Sequence, residues 1–106
     1  MKVKLAFLDV LNAVEIFGAQ KFEFEMKGKT VKDLLNEIIE GYGHKAKELF
    51  FKSGRYDSTF QIIINGRKYV LPEEMERFTL AEGDTVIFSP LVNGGWKYNE
   101  TSSAIV

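Results

Sequence analysis

The sequence predicts an α+β fold, with one main amphipathic helix packed on one face of a mixed sheet of about five strands. Three observations lead there. Residues 2–9 and 21–27 each alternate apolar and polar side chains, the period of a half-buried strand. Residues 31–39 carry a single apolar stripe at helical spacing. Two further β-rich runs, 60–64 and 85–89, follow that helix. An isolated amphipathic helix needs an apolar surface to cover, and a half-buried sheet supplies one.

In the first strand Val3, Leu5 and Phe7 share one face, and Lys2, Lys4 and Ala6 share the other. Residues 11–20 form a connection with Asn12 and Gly18 as breakers. Leu11, Val14, Ile16 and Phe17 make it too apolar for a solvated loop, so it is expected to fold down over the core. The second strand turns Phe22, Phe24 and Met26 inward and Glu23, Glu25 and Lys27 outward, and forms an antiparallel hairpin with the first. Thr30 caps the helix, with Asp33 at capping-box spacing. Val31, Leu34, Leu35, Ile38 and Ile39 form its buried stripe, and Gly41 is expected to end it. Residues 46–51 suit a short helix, and Ser53-Gly54-Arg55 a turn. The strand at 60–64 runs into an Asn65-Gly66 type I′ turn and a short strand at 67–70, which Pro72 stops. Residues 73–78 suit a polar loop or a single helical turn. Gly83 turns the chain into the last strand, and Pro90 is expected to end it because proline cannot donate to a ladder.

Length and composition exclude several classes of function. A chain of 106 residues holds one core. A net charge of −1 argues against nucleic acid as a partner. With no cysteine there is no disulfide, no thiolate metal site and no thiol nucleophile. Apolar runs are far too short for a membrane span, and the N-terminus has no secretory h-region, so a cytoplasmic protein is expected. Nothing calls for a cofactor, and no paired acid–base constellation argues for an enzyme.

The ordered pieces Ile64-Asn65-Gly66-Arg67, Thr79-Leu80-Ala81-Glu82-Gly83-Asp84 and residues 85–95, ending Pro90-Leu91-Val92-Asn93-Gly94-Gly95, carry a more specific signal. Together with Thr30-Val31-Lys32-Asp33-Leu34-Leu35 they resemble the MoaD/ThiS family of ubiquitin-like sulfur carriers. The resemblance covers roughly residues 1–95. It implies a β-grasp fold and a carrier rather than an enzyme. It also implies that an E1-like adenylating enzyme activates the terminal glycine carboxylate with ATP, after which sulfur replaces the adenylate to give a thiocarboxylate. The expected acceptor is an enzyme such as the large subunit of molybdopterin synthase, a thiamine pathway enzyme or a tRNA-thiolating enzyme; some archaeal relatives are joined to protein lysines instead. Gly94 and Gly95 are the implied activation site. Lacking side chains, they thread a narrow channel and leave the last carbonyl open to attack.

This sequence departs from the pattern at its end. Eleven residues, 96–106, follow Gly95, so the Gly95 carbonyl lies in a peptide bond and cannot be adenylated. The chain therefore divides into a β-grasp domain, 1–95, and a C-terminal extension, 96–106. Either a processing protease releases the extension, or the chain is a non-conjugating interaction module with an ordered tail. In the second case Asn93-Gly94 is a hairpin turn and Trp96-Lys97-Tyr98 an added strand, whose indole gains by burial.

Alternation points Ile63 and Ile87 outward, away from the helix. The β-grasp resemblance implies that their strands are neighbours and adjoin the first strand, which makes an apolar patch of Ile63 and Ile87 with Ala6 and Leu8, and with Leu91 and Val92. Such a patch is either a partner site or a surface covered by the tail or a second copy. Other candidates read as structural. His44 has no companion ligand and suits a solvated loop. Glu73, Glu74 and Glu76 suit a solvated face, and Lys27, Lys29 and Lys32 the rim of a helix start. Gly28-Lys29-Thr30 lacks the upstream glycine of a phosphate loop, that position being Glu23. Asn99-Glu100-Thr101 fits a glycosylation sequon without a secretory context.

Overall fold

A computed structural model describes residues 1–57 and 60–90. The elements are β1 (Lys2–Phe7), α1 (Ala13–Phe17), β2 (Lys21–Glu25), α2 (Val31–Tyr42), α3 (His44–Phe50), β3 (Phe51–Lys52), β4 (Arg55–Tyr56), β5 (Phe60–Ile64), β6 (Lys68–Val70) and β7 (Thr85–Pro90), with a 3₁₀ turn at Pro72–Glu74. Five strands form one mixed sheet in the order β2-β1-β7-β5-β6; β3 and β4 form a separate small hairpin. β1 and β2 are antiparallel, with Leu5 opposite Phe22. β1 and β7 are parallel, with Leu5 opposite Val86. β7 is antiparallel to β5, and β5 to β6. This is the β-grasp arrangement, with α2 covering one sheet face.

Period-two alternation places Val3, Leu5 and Phe7 of β1, Val86 and Phe88 of β7 and Ile62 and Ile64 of β5 in the core. They meet Val31, Leu34, Leu35 and Ile38 of α2. Aromatic rings concentrate at one end. Phe88 lies 4.8 Å from Phe7 and 5.2 Å from Phe50, centroid to centroid, and Phe7 stacks on Phe17 at 4.5 Å.

The start of α2 is built as its sequence spells it. Thr30 Oγ1 accepts from the Asp33 N–H at 3.1 Å, and Asp33 Oδ2 accepts from the Lys29 and Thr30 N–H groups at 3.0 and 3.1 Å. Gly28 passes so close that a Cβ there would lie 2.5 Å from Asp33 Cβ. The donated N–H bonds hold the Asp33 carboxyl below its ordinary value of 3.8. A depressed carboxyl contributes stability above its unfolded pKa and loses it as pH falls through the lower folded value. Asp33→Asn should therefore flatten the acid limb of the melting temperature from 3.8 downward. Parallel acid limbs for both proteins, measured by circular dichroism, would remove this role.

Four local expectations are corrected. The connection after β1 contains the short helix α1, and only part of it folds inward. Val10, Ala13 and Phe17 are buried, whereas Leu11 is fully exposed and Val14 is 54% exposed. On a helical turn residues three or four apart share a face, so seating Ala13 with Phe17 turns Leu11 and Val14 out together. α2 does not end at Gly41 but runs on to Tyr42, and Gly43, at φ +82°, closes it by donating to Ile39 O at 2.7 Å. The extra residues bring Tyr42 edge-on to Phe17 at 4.8 Å. Asn65 and Gly66 both have positive φ, as a type I′ turn requires, with the Arg67 N–H donating to Ile64 O at 3.0 Å. Ile64, however, pairs with Lys68, which leaves Arg67 in the loop and starts β6 one residue late. Finally, Pro90 is a member of β7, opposite Phe60. Pairing with β1 stops at Phe88, whose carbonyl accepts from the Leu8 N–H at 2.9 Å, so β1 asks no ladder bond of Pro90.

Candidate functional site

The expected activation residues Gly94 and Gly95 and the expected patch residues Leu91 and Val92 lie outside the described residues, as do Trp96, Tyr98, Asn99 and the expected boundary at 95/96. What can be built from the residues upward is the platform that delivers them. β7 is flanked by β1 on one side and β5 on the other, and its last residue, Pro90, stands four positions before Gly94. The chain therefore leaves for the diglycine from the middle of the sheet.

The position of β7 along its neighbours is set by a polar junction at its other end. The Asn65 N–H donates to Thr85 O at 2.8 Å, and Asn65 Oδ1 accepts from the Thr85 N–H at 2.9 Å. Asn65 Nδ2 donates to Asp84 Oδ1 at 3.1 Å, and Asp84 Oδ2 accepts from the Ala81 N–H at 2.8 Å. Gly83, at φ +83°, donates its N–H to Lys2 O at 2.8 Å. The Asn-Gly turn and the Gly-Asp turn, distant in sequence, are thus one structure clamping the entrance of β7. Sequence reasoning found both motifs and missed that they touch. Their side-chain complementarity, an amide facing a carboxylate, was the available signal.

The sheet face away from α2 carries the predicted outward residues in register. Ala6 pairs with Ile87, Ile87 with Ile63, and Ile63 with Tyr69, a row crossing four strands. Ile63 and Ile87 are half-buried by their neighbours, while Leu8 is 43% and Tyr69 55% exposed. Beside the row, Ala6, Leu8 and Ile87 wall a shallow, mainly apolar depression of about 420 Å³, rimmed by Lys4, Lys21, Glu23 and Thr85. A second hollow of about 480 Å³ opens beside Pro90, where Val10, Leu11, Leu49 and Phe60 meet a mixed rim of Asp9, Glu15, Lys45, Glu48, Lys52 and Asp57. Its rim carries four carboxylates against two lysines, so its field disfavours an anionic ligand.

His44, Glu74, Glu76, Lys27 and Gly28 have structural partners. His44 is not in a loop but opens α3, where its Nε2 lies 3.2 Å from Glu48 Oε2 one turn on. Glu74 accepts from the Leu71 N–H at 2.9 Å and pairs with Lys68; Glu76 pairs with Lys32 at 2.6 Å. The Lys27 and Gly28 N–H groups both donate to the Glu37 carboxylate, at 2.8 and 2.7 Å, which occupies the place a phosphate would need. Burial pushes the Tyr56 phenol well above its ordinary range, and its hydroxyl donates to Phe60 O at 2.8 Å, tying the β3–β4 hairpin to β5. Among the described residues no group of three or more His, Cys, Asp or Glu could hold a metal ion. No described helix is long and apolar enough to cross a membrane.

No protein-family model matches the chain, and no curated protein sequence does. Solved structures do. The small archaeal modifier protein 1 of Methanosarcina acetivorans superposes with a TM-score of 0.68 at 24% identity, over 89% of this chain and 96% of that one. CysO in the BexX/CysO complex of Amycolatopsis orientalis gives 0.64 at 20% identity, over 88% and 99%. These two show the shared fold. The protein described as molybdopterin converting factor subunit 1 of Pyrococcus furiosus is 33% identical over 87% of this chain and 99% of that one, with a TM-score of 0.63. With the strand order, the capped helix and the Asn65–Asp84 junction in place, that identity settles the assignment: the chain belongs to the MoaD/ThiS family of ubiquitin-like sulfur carriers.

Proposed function

We propose that this protein is made as a precursor and becomes a sulfur carrier, or a protein modifier, once the peptide bond after Gly95 is hydrolysed. Water adds to the Gly95–Trp96 bond, leaving a carboxylate on Gly95 and releasing the eleven-residue peptide. An E1-like enzyme then joins that carboxylate to AMP, with loss of pyrophosphate from ATP, and hydrosulfide supplied by a sulfur donor attacks the acyl carbon and displaces AMP to give the thiocarboxylate. The carrier supplies no catalytic group. Its contribution is positional: a rigid central strand presents a side-chain-free terminus. The observation that carries the reading is β7, held at its entrance by the Asn65–Asp84 junction and running out at Pro90 just before Leu91-Val92-Asn93-Gly94-Gly95.

The same reading makes the outer row of Ile63 and Ile87, with Leu8 and the adjoining Leu91 and Val92, the docking face for the activating enzyme and the sulfur acceptor. An apolar row with polar edges suits a transient interface, because it gains on burial without excluding water from the carrier alone. The acceptor proposed is an enzyme that takes sulfur from the carrier into a small cofactor precursor; the likeness to a protein named molybdopterin converting factor supports this choice.

Intact mass spectrometry of the protein taken from its native host tests the maturation step. The expected species ends at Gly95, with a fraction heavier by the replacement of one oxygen by sulfur. Full-length chain alone under all growth conditions would turn the assignment to a non-conjugating adaptor.

A further inference from the structure

We infer that the hollow beside Pro90 is a docking socket for an arginine-bearing, otherwise apolar loop of the activating enzyme, with Leu11 as its apolar contact and the rim carboxylates as its charge partners. That the partner is this enzyme rests on the carrier reading; the preference of the socket for an apolar, cationic segment does not.

Position is the first argument. The hollow is bounded by α1, α3 and the paired ends of β5 and β7. Phe60 and Pro90 pair there, on the core side of their strands by the alternation that buries Ile62 and Phe88. The outer row, with Ile87, lies on the other side of β7. The two surfaces are joined around the end of the sheet. Leu11 lines the hollow beside Pro90 and shares a second shallow hollow with Leu8, which in turn walls the depression on the outer face. An enzyme that takes the chain beyond Pro90 into a channel must close around the end of β7, and so meets both surfaces.

Exposure is the second. Val10, Ala13 and Phe17 fill the inner positions of this segment, so the core makes no use of Leu11, which is fully exposed. Val14, one helical turn on, faces the same way and is 54% exposed. Two outward aliphatic side chains beside a concavity gain by burial only against another molecule.

Charge decides the chemistry of that molecule. Asp9, Glu15, Glu48 and Asp57 come to the rim from four separate parts of the chain, against Lys45 and Lys52. Among the described residues Asp9 and Glu15 enter no ion pair. Arginine fits such a rim. Its methylene stem lies along aliphatic surface such as Leu11 and Leu49, while its planar guanidinium meets carboxylates, two at a time where they converge. Lysine carries a more strongly hydrated ammonium, which gives up more on entering. A hollow of about 480 Å³ holds more than one side chain, so the arginine brings an apolar neighbour against Leu11.

Two experiments separate the socket from the partner. In the first, isotope-labelled full-length protein is titrated by NMR with the acetylated, amidated dipeptides Leu-Arg, Leu-Glu and Ser-Arg. Leu-Arg should give saturable shifts at the amides of Leu11, Glu15, Glu48 and Leu49, and the other two should bind severalfold more weakly. Leu11→Ser and Glu15→Lys should each weaken Leu-Arg severalfold with circular dichroism unchanged, since both side chains are exposed; Leu11→Ser keeps the test if Glu15→Lys unsettles α1. Shifts equal for all three dipeptides, or scattered over the surface, overturn the socket. Shifts at these amides that grow with protein concentration alone, and that Leu11→Ser removes, assign the hollow to a second copy and overturn it too. In the second, chains ending at Gly95 are assayed with the host's activating enzyme by exchange of pyrophosphate into ATP. Both substitutions should raise the KM for the carrier severalfold and leave kcat as it is, and Glu15→Lys should flatten the rise of KM with salt. An unchanged KM overturns the enzyme as the partner. No exchange by any chain ending at Gly95 sinks the carrier reading, and the dipeptide titration still decides the socket.

Discussion

Phe88→Ala is expected to destabilise the fold by about 3–5 kcal/mol, the range for removing a fully buried phenylalanine. Phe88 has no exposed surface. Its ring meets Phe7 at 4.8 Å, Phe50 at 5.2 Å and Phe60 at 6.2 Å, so truncation leaves a cavity walled by rings from three other elements. Those rings sit on β1, β5 and α3, none of which can close the gap alone. Single domains carry only about 5–15 kcal/mol in total, so the variant should be marginal at best. Urea unfolding followed by circular dichroism measures the loss. Tyr69→Ala, on the exposed outer face, is the control and should change stability by less than about 1 kcal/mol. A loss that small for Phe88→Ala would mean the aromatic cluster is not the core's centre. The position has functional weight too, because Phe88 lies two residues before Pro90 and fixes the strand that delivers the tail.

The second large effect is chemical and close to all-or-none. Incubated with ATP and an activating enzyme of this family, a chain ending at Gly95 should support exchange of pyrophosphate into ATP. The 106-residue chain should support none. The distinction is the nucleophile: a carboxylate oxygen can attack the α-phosphate, whereas the Gly95 carbonyl of a peptide bond has no charge to offer. Ending the chain at Gly95 as the carboxamide isolates the point, since it has the same length and differs only at the terminal group. That form should be inert. Exchange by the full-length chain at the rate of the shortened one would show that the terminal Val106 carboxylate is the group activated, and the precursor proposal would be withdrawn.

The strands, the helix and its capping box were legible because each is a local code. Alternation at period two named the inward faces of β1, β2, β5 and β7, and spacing of three and four named the face of α2. The short helix at 44–50 was read nearly to its ends. The errors fell where a distant contact overrides local preference. Gly41 is a fair place to stop a helix, but Tyr42 gains a ring contact with Phe17 by continuing, and nothing in residues 31–43 announces Phe17. Leu11 and Val14 are apolar and were expected inside, yet Phe17 and Ala13 take the inner face of the same turn.

The motifs of the family were visible as separate words, and their function in the fold was not. That Asn65 grips the entrance of β7 through Asp84 and Thr85 requires two turns from opposite ends of the second half of the chain to meet. The outward row from Ala6 to Tyr69 requires a register across strands that are not adjacent in sequence.

By itself the sequence determined which residues face in, where α2 begins, and that any activation at Gly95 must wait for a cut, because alternation, capping and peptide chemistry act between neighbours along the chain. Only the tertiary structure decided that β1 and β7 run parallel side by side, that two turns become one clamp, and which outward residues fall in register across β1, β7, β5 and β6. Those depend on contacts between distant residues, whose geometry is fixed by the packing of the whole core rather than by any segment of it.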